Sequence, residues 1–131
     1  MSAQLKAYRK KRRPGNRGRT KAEDAYMLAV KKAGCICCIA QGFRPSGDPE
    51  SRPMVEAHHL LSGGIRIGHH AIVGLCQYHH RDVLIVNGWD RATHRRELGP
   101  SLLSGSVAFH EHFGSDADLL AMQSWLMEQA A

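Results

Sequence analysis

The order of apolar and polar positions near the start of the chain predicts a helix over residues 21–33. Thr20 stands before this segment and Glu23 follows three positions later, which is the spacing of an N-terminal capping box. Acidic residues lie early in the segment and two lysines lie late, which suits the helix dipole. Gly34 is a common helix-ending residue, so we expect the helix to stop there.

Two short strands are predicted in the middle of the chain. Residues 54–61 fit a strand that enters a histidine pair, and residues 71–75 form a second, apolar strand. The Ser-Gly-Gly sequence of residues 62–64 predicts a turn between them. Residues 77–85 predict the start of a helix directly after Cys76.

The remaining segments predict loops and two further helices. Residues 43–53 contain three prolines and are predicted to form an exposed loop. Residues 86–100 are predicted to be irregular. Residues 101–113 and 115–129 predict two helices that separate at Gly114, the second of them amphipathic. Helices around two short strands indicate an α+β fold.

Length and composition limit the class of protein. The 131 residues suffice for one compact domain, and 43% hydrophobic with 23% charged residues is typical of a soluble globular chain. No apolar run reaches the roughly 18 to 20 residues that span a bilayer, and no apolar segment of a secretory signal follows the basic start. We therefore expect a cytoplasmic protein without a membrane partner. In that reducing compartment the four cysteines favour metal binding over disulfides.

Positive charge is concentrated at the N-terminus. Residues 1–21 hold nine Lys/Arg and no acid; since the whole chain carries +6, the rest sums to −3. We interpret residues 1–20 as a basic flexible arm and residues 21–131 as the domain. A dense basic segment suits nucleic-acid phosphates, whereas the alternative is a solvated, disordered end. The candidate nucleic-acid-binding residues are Lys10, Lys11, Arg12, Arg13, Arg17 and Arg19.

Cysteine and histidine spacing predicts a structural zinc site. Cys35 and Cys38 form a C-x-x-C pair, and Cys76 and His79 form a C-x-x-H pair further along the chain. Two such pairs can supply the four tetrahedral ligands that structural Zn²⁺ prefers. Cys37 is the alternative to one of its neighbours, although we expect it to pack as a small apolar residue. The competing interpretation is a set of buried, unligated cysteines.

Seven of the nine histidines lie between residues 58 and 94, and three pairs are adjacent. A histidine near its ordinary pKa suits the general base of a phosphodiester hydrolysis, and the other histidine of a pair can hold a metal ion. A second zinc site without chemistry is the alternative. His110 and His112 are expected on a helix surface and receive no function.

These motifs together resemble an HNH (ββα-metal) endonuclease. The matching strings are AHHL at residues 57–60, the glycine pair at 63–64 and GLCxxHH at 74–80. The resemblance implies a zinc-stapled ββα-metal core with flanking N- and C-terminal helices. It implies that His58 and His80 bind a catalytic divalent ion and that His59 is the general base. The asparagine that orients the base in this family has no plain counterpart. His69 or His70 occupies its region, and His69 is interpreted as the orienting residue or an extra ligand. His94 stands where the family often has a further histidine and is interpreted as a further metal ligand.

More narrowly, the chain resembles the phage recombination-enhancement family of RecA-dependent HNH nucleases. The shared features are the C-x-x-C at 35–38, HHL at 58–60, Arg66-x-Gly68-His69, LCxxHHR at 75–81, Gly99-Pro100-Ser101-Leu102 and the final helix. The resemblance implies a DNA endonuclease supported by Mg²⁺ or Mn²⁺ and directed to DNA within a RecA filament. A non-catalytic zinc-binding nucleic-acid adaptor is the main rival, and a redox protein using Cys35 and Cys38 is a weaker one.

Overall fold

The structure is a computed structural model that describes residues 19–43, 54–62, 65–66 and 71–130. Its helices and short strands confirm the α+β class, and in chain order they are α1 (Lys21–Ala33), α2 (Ile36–Ala40), β1 (Val55–His59), β2 (Leu61–Ser62), β3 (Ile65–Arg66), β4 (Ile72–Cys76), α3 (Gln77–Arg81), α4 (Arg91–Leu98), α5 (Ser106–Phe113) and α6 (Asp116–Ala130).

The central ladder is the antiparallel pair of β1 and β4. Val55 lies opposite Cys76 at one end and His59 lies opposite Ile72 at the other. Side chains alternate between the two faces, so Ile72 packs with a small cluster around α1, whereas Val73 joins the main core. β2 and β3 form a second antiparallel pair. The ladder thus carries the histidines of β1 at one end and Cys76 at the other.

The predicted helix α1 is confirmed with its cap. The Thr20 hydroxyl accepts from the Glu23 amide at 3.1 Å, and the Glu23 carboxylate accepts from the Thr20 amide at 3.2 Å. The helix ends at Ala33, directly before Gly34. Met27 and Val30 on one side of the helix are buried against Ile72 of β4, which holds α1 against the ladder.

Gly74 permits the close approach of the end of α1 to β4. A Cβ atom at this position would lie 2.9 Å from the Gly34 carbonyl oxygen and 3.2 Å from that of Val30. The Gly74 amide donates to the buried side chain of Gln123 at 2.8 Å, so a residue of α6 satisfies the outer edge of the strand. The helix predicted over residues 115–129 is observed over Asp116–Ala130. No helix in the described part of the chain is both long and apolar enough to cross a membrane.

The helix predicted over residues 77–85 is shorter than expected. It ends at Arg81, because Asp82 adopts a left-handed conformation with φ of 60°. The interpretation of residues 86–100 as irregular is wrong in its second half, where Arg91–Leu98 forms α4. The Asp90 carboxylate starts this helix by accepting from the Thr93 amide at 2.8 Å.

The helix predicted over residues 101–113 begins only at Ser106. Its expected first turns are held in an extended and turning path by contacts with α3. The Leu102 amide donates to the His79 carbonyl at 2.7 Å, and the buried Ser101 hydroxyl donates to Asp82 at 2.8 Å. These long-range bonds replace the local bonds of a helix.

Candidate metal centre and histidine site

A buried cluster collects three cysteines and one histidine. The Sγ atoms of Cys35, Cys38 and Cys76 and one ring nitrogen of His79 all lie within 4.8 Å of one another. All four residues are buried. It is the one group of this kind in the described residues, and it could hold a metal ion such as zinc. We call it the Cys/His cluster.

The two halves of the cluster have the same local construction. Cys35 is the N-cap of α2, and its Sγ accepts from the Cys38 amide at 3.5 Å. Cys76 is the N-cap of α3, and its Sγ accepts from the His79 amide at 3.4 Å. In each half the two-residue spacing therefore turns both ligands to one point and places an amide on the sulfur. Cys37 is buried but stands outside the ligand set.

His79 is oriented by the carbonyl of the last residue of α4, Leu98. Its Nε2 lies 2.7 Å from the Leu98 carbonyl oxygen, which can only accept, so Nε2 is the donor. Nδ1 points at the sulfurs, 3.2 Å from Cys76, 3.4 Å from Cys35 and 3.5 Å from Cys38. A metal-ligating histidine commonly donates its other ring N–H to a carbonyl in this way.

The protonation of the cluster shows why a cation fits it. Burial acts against a charged His79, but its contacts with Cys35 and Cys76 outweigh burial and raise its pKa to about 10. Burial also opposes ionisation of Cys35, yet hydrogen bonds from the neighbouring thiols and His79 bring its pKa below the ordinary value. The cluster thus stabilises negative sulfur beside positive charge, and a divalent ion supplies that charge without protons.

A second group of histidines lies where α3 passes over the start of β1. The rings of His58 and His80 are 5.0 Å apart between centroids and meet edge to face. His80 Nδ1 lies 3.1 Å from Oε1 of Glu56, whose carboxylate also accepts from Arg81 at 2.9 and 2.7 Å. Burial alone would raise the Glu56 pKa, but these bonds with Arg81 and His80 lower it, so the carboxylate is ionised.

An ionised carboxylate only accepts hydrogen bonds, so Nδ1 of His80 is the donor to Glu56. When His80 is neutral, this tautomer leaves the lone pair on Nε2. His58 is kept neutral, because burial and the adjacent His80 lower its pKa to about 4, against a smaller opposing effect of Asp116. Neutral imidazole is the form that binds a metal ion. We call His58, His80 and Glu56 with His59 the histidine site.

His59 faces a groove between α1 and β1. The groove has a volume of about 530 Å³, and His59 and His80 both line it. His59 follows His58 on the same strand, so alternation turns the two rings to opposite faces of β1. His80 is therefore shared: it contacts His58 on one side and borders the groove that contains His59 on the other.

The structure does not bring His94 to this site, which corrects its expected role as a metal ligand. His94 is fully buried, and its Nδ1 lies 2.8 Å from the Asp90 carbonyl oxygen. Its Nε2 accepts from the amides of Ile85 and Val86 at 3.0 and 3.2 Å. Both ring nitrogens are engaged with main chain, so His94 fastens the loop after α3 to α4.

Several predicted residues lie outside the described part of the chain. They are His69 and the basic residues Lys10, Lys11, Arg12, Arg13 and Arg17. Arg19 is described: it pairs with Asp24 at 2.9 Å and lines the same groove as His59. The roles of all seven residues remain predictions.

Sequence reasoning missed Glu56, although a signal for it exists. Residues two apart on a strand share a face, so Glu56 and His58 lie on the same side of β1. The ladder then brings the start of β1 beside Cys76, where α3 begins and carries His80 over it. A carboxylate two positions before a histidine pair on a predicted strand is therefore a signal for an additional residue of the candidate site.

The fold and site define a small α+β protein with a buried Cys/His cluster able to hold a metal ion. Residues 19–130 match the model of the family described as "Recombination enhancement, RecA-dependent nuclease". The match covers well over half of the chain, and the chain belongs to this family. The family name implies a RecA-dependent nuclease role in recombination. No curated protein and no solved structure gives a significant match to the chain.

Proposed function

We propose that the protein is an HNH-type endonuclease that hydrolyses DNA phosphodiester bonds with the help of a divalent ion. The observation that carries this proposal is the opposite placement of two adjacent histidines. His79 faces the buried Cys/His cluster, whereas His80 lies 5.0 Å from His58 at a partly open surface. The antiparallel β1–β4 ladder followed by α3 supports an HNH interpretation of the fold.

Two metals with different duties fit the two regions. Zn²⁺ suits the three sulfurs and one nitrogen of the Cys/His cluster, which are soft or borderline ligands. His58 and His80 would hold Mg²⁺ or Mn²⁺. Mg²⁺ and Mn²⁺ also favour oxygen ligands, which water and the phosphate would provide. An ion held by these residues would supply charge stabilisation for the phosphate and the leaving oxygen.

The chain's own residues carry out the proton transfer. His59 accepts a proton from a water molecule, and the water oxygen forms a bond to phosphorus as the bond from phosphorus to the 3′ oxygen breaks. The products are a 5′-phosphate and a 3′-hydroxyl once the 3′ oxygen takes up a proton. Glu56 holds His80 in one tautomer throughout, and His69 remains a proposed orienting residue. The family name supports a RecA filament as the partner that presents the DNA.

The decisive experiment measures cleavage of supercoiled and single-stranded DNA with Mg²⁺ or Mn²⁺, each with and without a RecA filament. We expect His59→Ala to reduce the rate by about 10²- to 10⁴-fold, the usual contribution of a general base. His112→Ala, an exposed histidine bonded to Gln41, is the control and should cleave normally.

Metal counting separates the nuclease from the non-catalytic zinc-binding adaptor. A nuclease should retain one tight zinc per chain and require a second, exchangeable ion for activity. Two tight zincs with no cleavage under any condition would favour the adaptor. Cleavage by His59→Ala at the wild-type rate would refute the mechanism.

A further inference from the structure

The groove between α1 and β1 combines two kinds of wall beside the histidine site. Arg19 and Lys31 contribute positive charge from the α1 side, and Met27 and Met54 contribute thioethers. His59 and His80 border the same space. Its volume of about 530 Å³ lies within the range of roughly 300–1,000 Å³ that is usual for small-molecule sites, so it can hold more than an ion.

Arg19 and Lys31 differ in how many protein groups they already contact. The Arg19 guanidinium is held by Asp24 at 2.9 Å and by the Met27 sulfur at 3.0 Å, which leaves further N–H donors on the same group. Lys31 is exposed, and no acidic partner accompanies it among the residues that the structure describes. Glu56 also lines the groove, but its carboxylate is occupied by Arg81 and His80.

The apolar wall is open to a ligand. Met54 is a large apolar side chain with 65% of its surface exposed, directly before β1, whereas Met27 on α1 is buried in the small core cluster. A flexible, polarisable thioether adapts to flat aromatic surfaces. Arg19 and Lys31 on the α1 side and Met54 beside β1 match the two parts of a nucleotide, its phosphates and its base.

We propose that this groove binds the DNA nucleotide next to the scissile phosphate, with the adjoining phosphate at Lys31 and Arg19 and the base against Met54. The inference rests on the proposed function, because the histidine site would hold the scissile phosphate and so fix the position of the DNA strand beside the groove. The strand would leave the site along α1 toward Arg19, which in sequence directly follows most of the basic N-terminal segment.

The test measures binding without cleavage. A fluorescent single-stranded oligonucleotide is titrated with zinc-loaded His59→Ala protein, without added Mg²⁺ or Mn²⁺, at several salt concentrations. In this background we expect Lys31→Gln to weaken binding by about fivefold to tenfold and to lower the salt slope by about 0.7, the value for one phosphate contact on single-stranded DNA. The matched control is Lys32→Gln, which removes an equal charge from an exposed neighbour outside the groove.

A second pair of variants, one inside the groove and one outside it, tests the apolar wall. Met54→Ser should weaken binding by about threefold or more without changing the salt slope, because it removes a stacking surface and no charge. Leu28→Ser, on the exposed face of α1 and outside the groove, should bind as the parent does.

The outcomes separate this inference from the nuclease proposal. Equal effects of Lys31→Gln and Lys32→Gln on oligonucleotide binding would refute the proposal that the groove binds DNA, even if the wild type cleaves DNA. A selective effect of Lys31→Gln together with an inactive wild type would leave the groove standing and refute the nuclease.

Discussion

His79 and His80 are adjacent in the chain, yet they belong to two regions with opposite surroundings. His79 is fully buried, with one nitrogen on the cysteine sulfurs and the other on a carbonyl. His80 keeps 25% of its side chain exposed and has one nitrogen on Glu56. The first region is closed on every side, and the second opens on a groove.

The difference indicates which region maintains the fold and which can exchange ligands with solution. Four mutually close ligands without exposure leave no position for water or substrate, which is the arrangement of a structural metal site. His59 and His80 line an open groove, which gives water and substrate the access that catalysis requires. Substitutions in the two regions should therefore fail in different ways.

The largest effect is expected from His79→Ala. We expect loss of tight zinc and of cooperative unfolding, because zinc contributes about 10–16 kcal/mol to the folding of zinc-finger peptides, against a typical domain stability of about 5–15 kcal/mol. His80→Ala should retain its zinc and unfold within about 3 °C of the wild type, since its side chain is partly exposed. Circular dichroism melts and metal analysis measure both. Identical behaviour of the two variants would contradict the comparison.

Cysteine substitutions test which thiols belong to the Cys/His cluster. Cys38→Ser should release zinc, because the Cys38 sulfur lies 3.7 Å from that of Cys76 within the cluster. Cys37→Ala should keep one zinc and cost about 1–2 kcal/mol of unfolding free energy, as expected for a small buried side chain outside the ligand set. Metal analysis of the purified variants decides, and the reverse result would place Cys37 among the ligands.

Glu56→Gln tests the open region alone. Loss of the carboxylate removes the group that orients His80, so we expect the Mg²⁺ or Mn²⁺ concentration for half-maximal cleavage to rise by about 10- to 100-fold. Zinc content should not change. Glu97→Gln, whose exposed carboxylate pairs only with the neighbouring Arg96 among the described ion pairs, is the control. An unchanged metal requirement in Glu56→Gln would show that His80 does not depend on this carboxylate.

An effect on stability alone is expected from Tyr78→Phe. The buried Tyr78 hydroxyl donates to the Gly99 carbonyl at 2.7 Å, and burial raises its pKa to about 12, so it stays a donor at neutral pH. Its removal leaves a carbonyl without this partner next to Leu98, which orients His79. We expect a loss of about 1–3 kcal/mol in urea unfolding with zinc retained. Wild-type stability would mean that the Gly99 carbonyl finds another donor.

Local patterns were predictable where a few neighbouring residues contain the whole signal. The cap of Thr20 with Glu23 and the end of α1 before Gly34 follow from interactions within one turn. The helix over Arg91–Leu98 was missed, although Asp90 with Thr93 and the following Gly99 are its start and stop signals. Residues 101–105 look helical in isolation, but their bonds to His79 and Asp82 outweigh that preference.

The residues of the candidate site divide in the same way, into those set by local spacing and those set by tertiary contacts. Cys35 with Cys38 and Cys76 with His79 were recognisable because two-residue spacing by itself turns two ligands to one point. The expectation for His94 failed because its ring nitrogens are taken by main chain of a loop whose path the pattern does not contain.

The sequence by itself determined the ligand types, their paired spacing, the doubled histidines and the first helix, since each depends on contacts within a few residues. Only the tertiary structure decided that the two ligand pairs meet, 38 residues apart at Cys38 and Cys76, and that Glu56 reaches His80 across 24 residues. The physical reason is that such contacts depend on the pairing of β1 with β4 and on the packing of α1 and α6, which are properties of the whole chain and not of any segment.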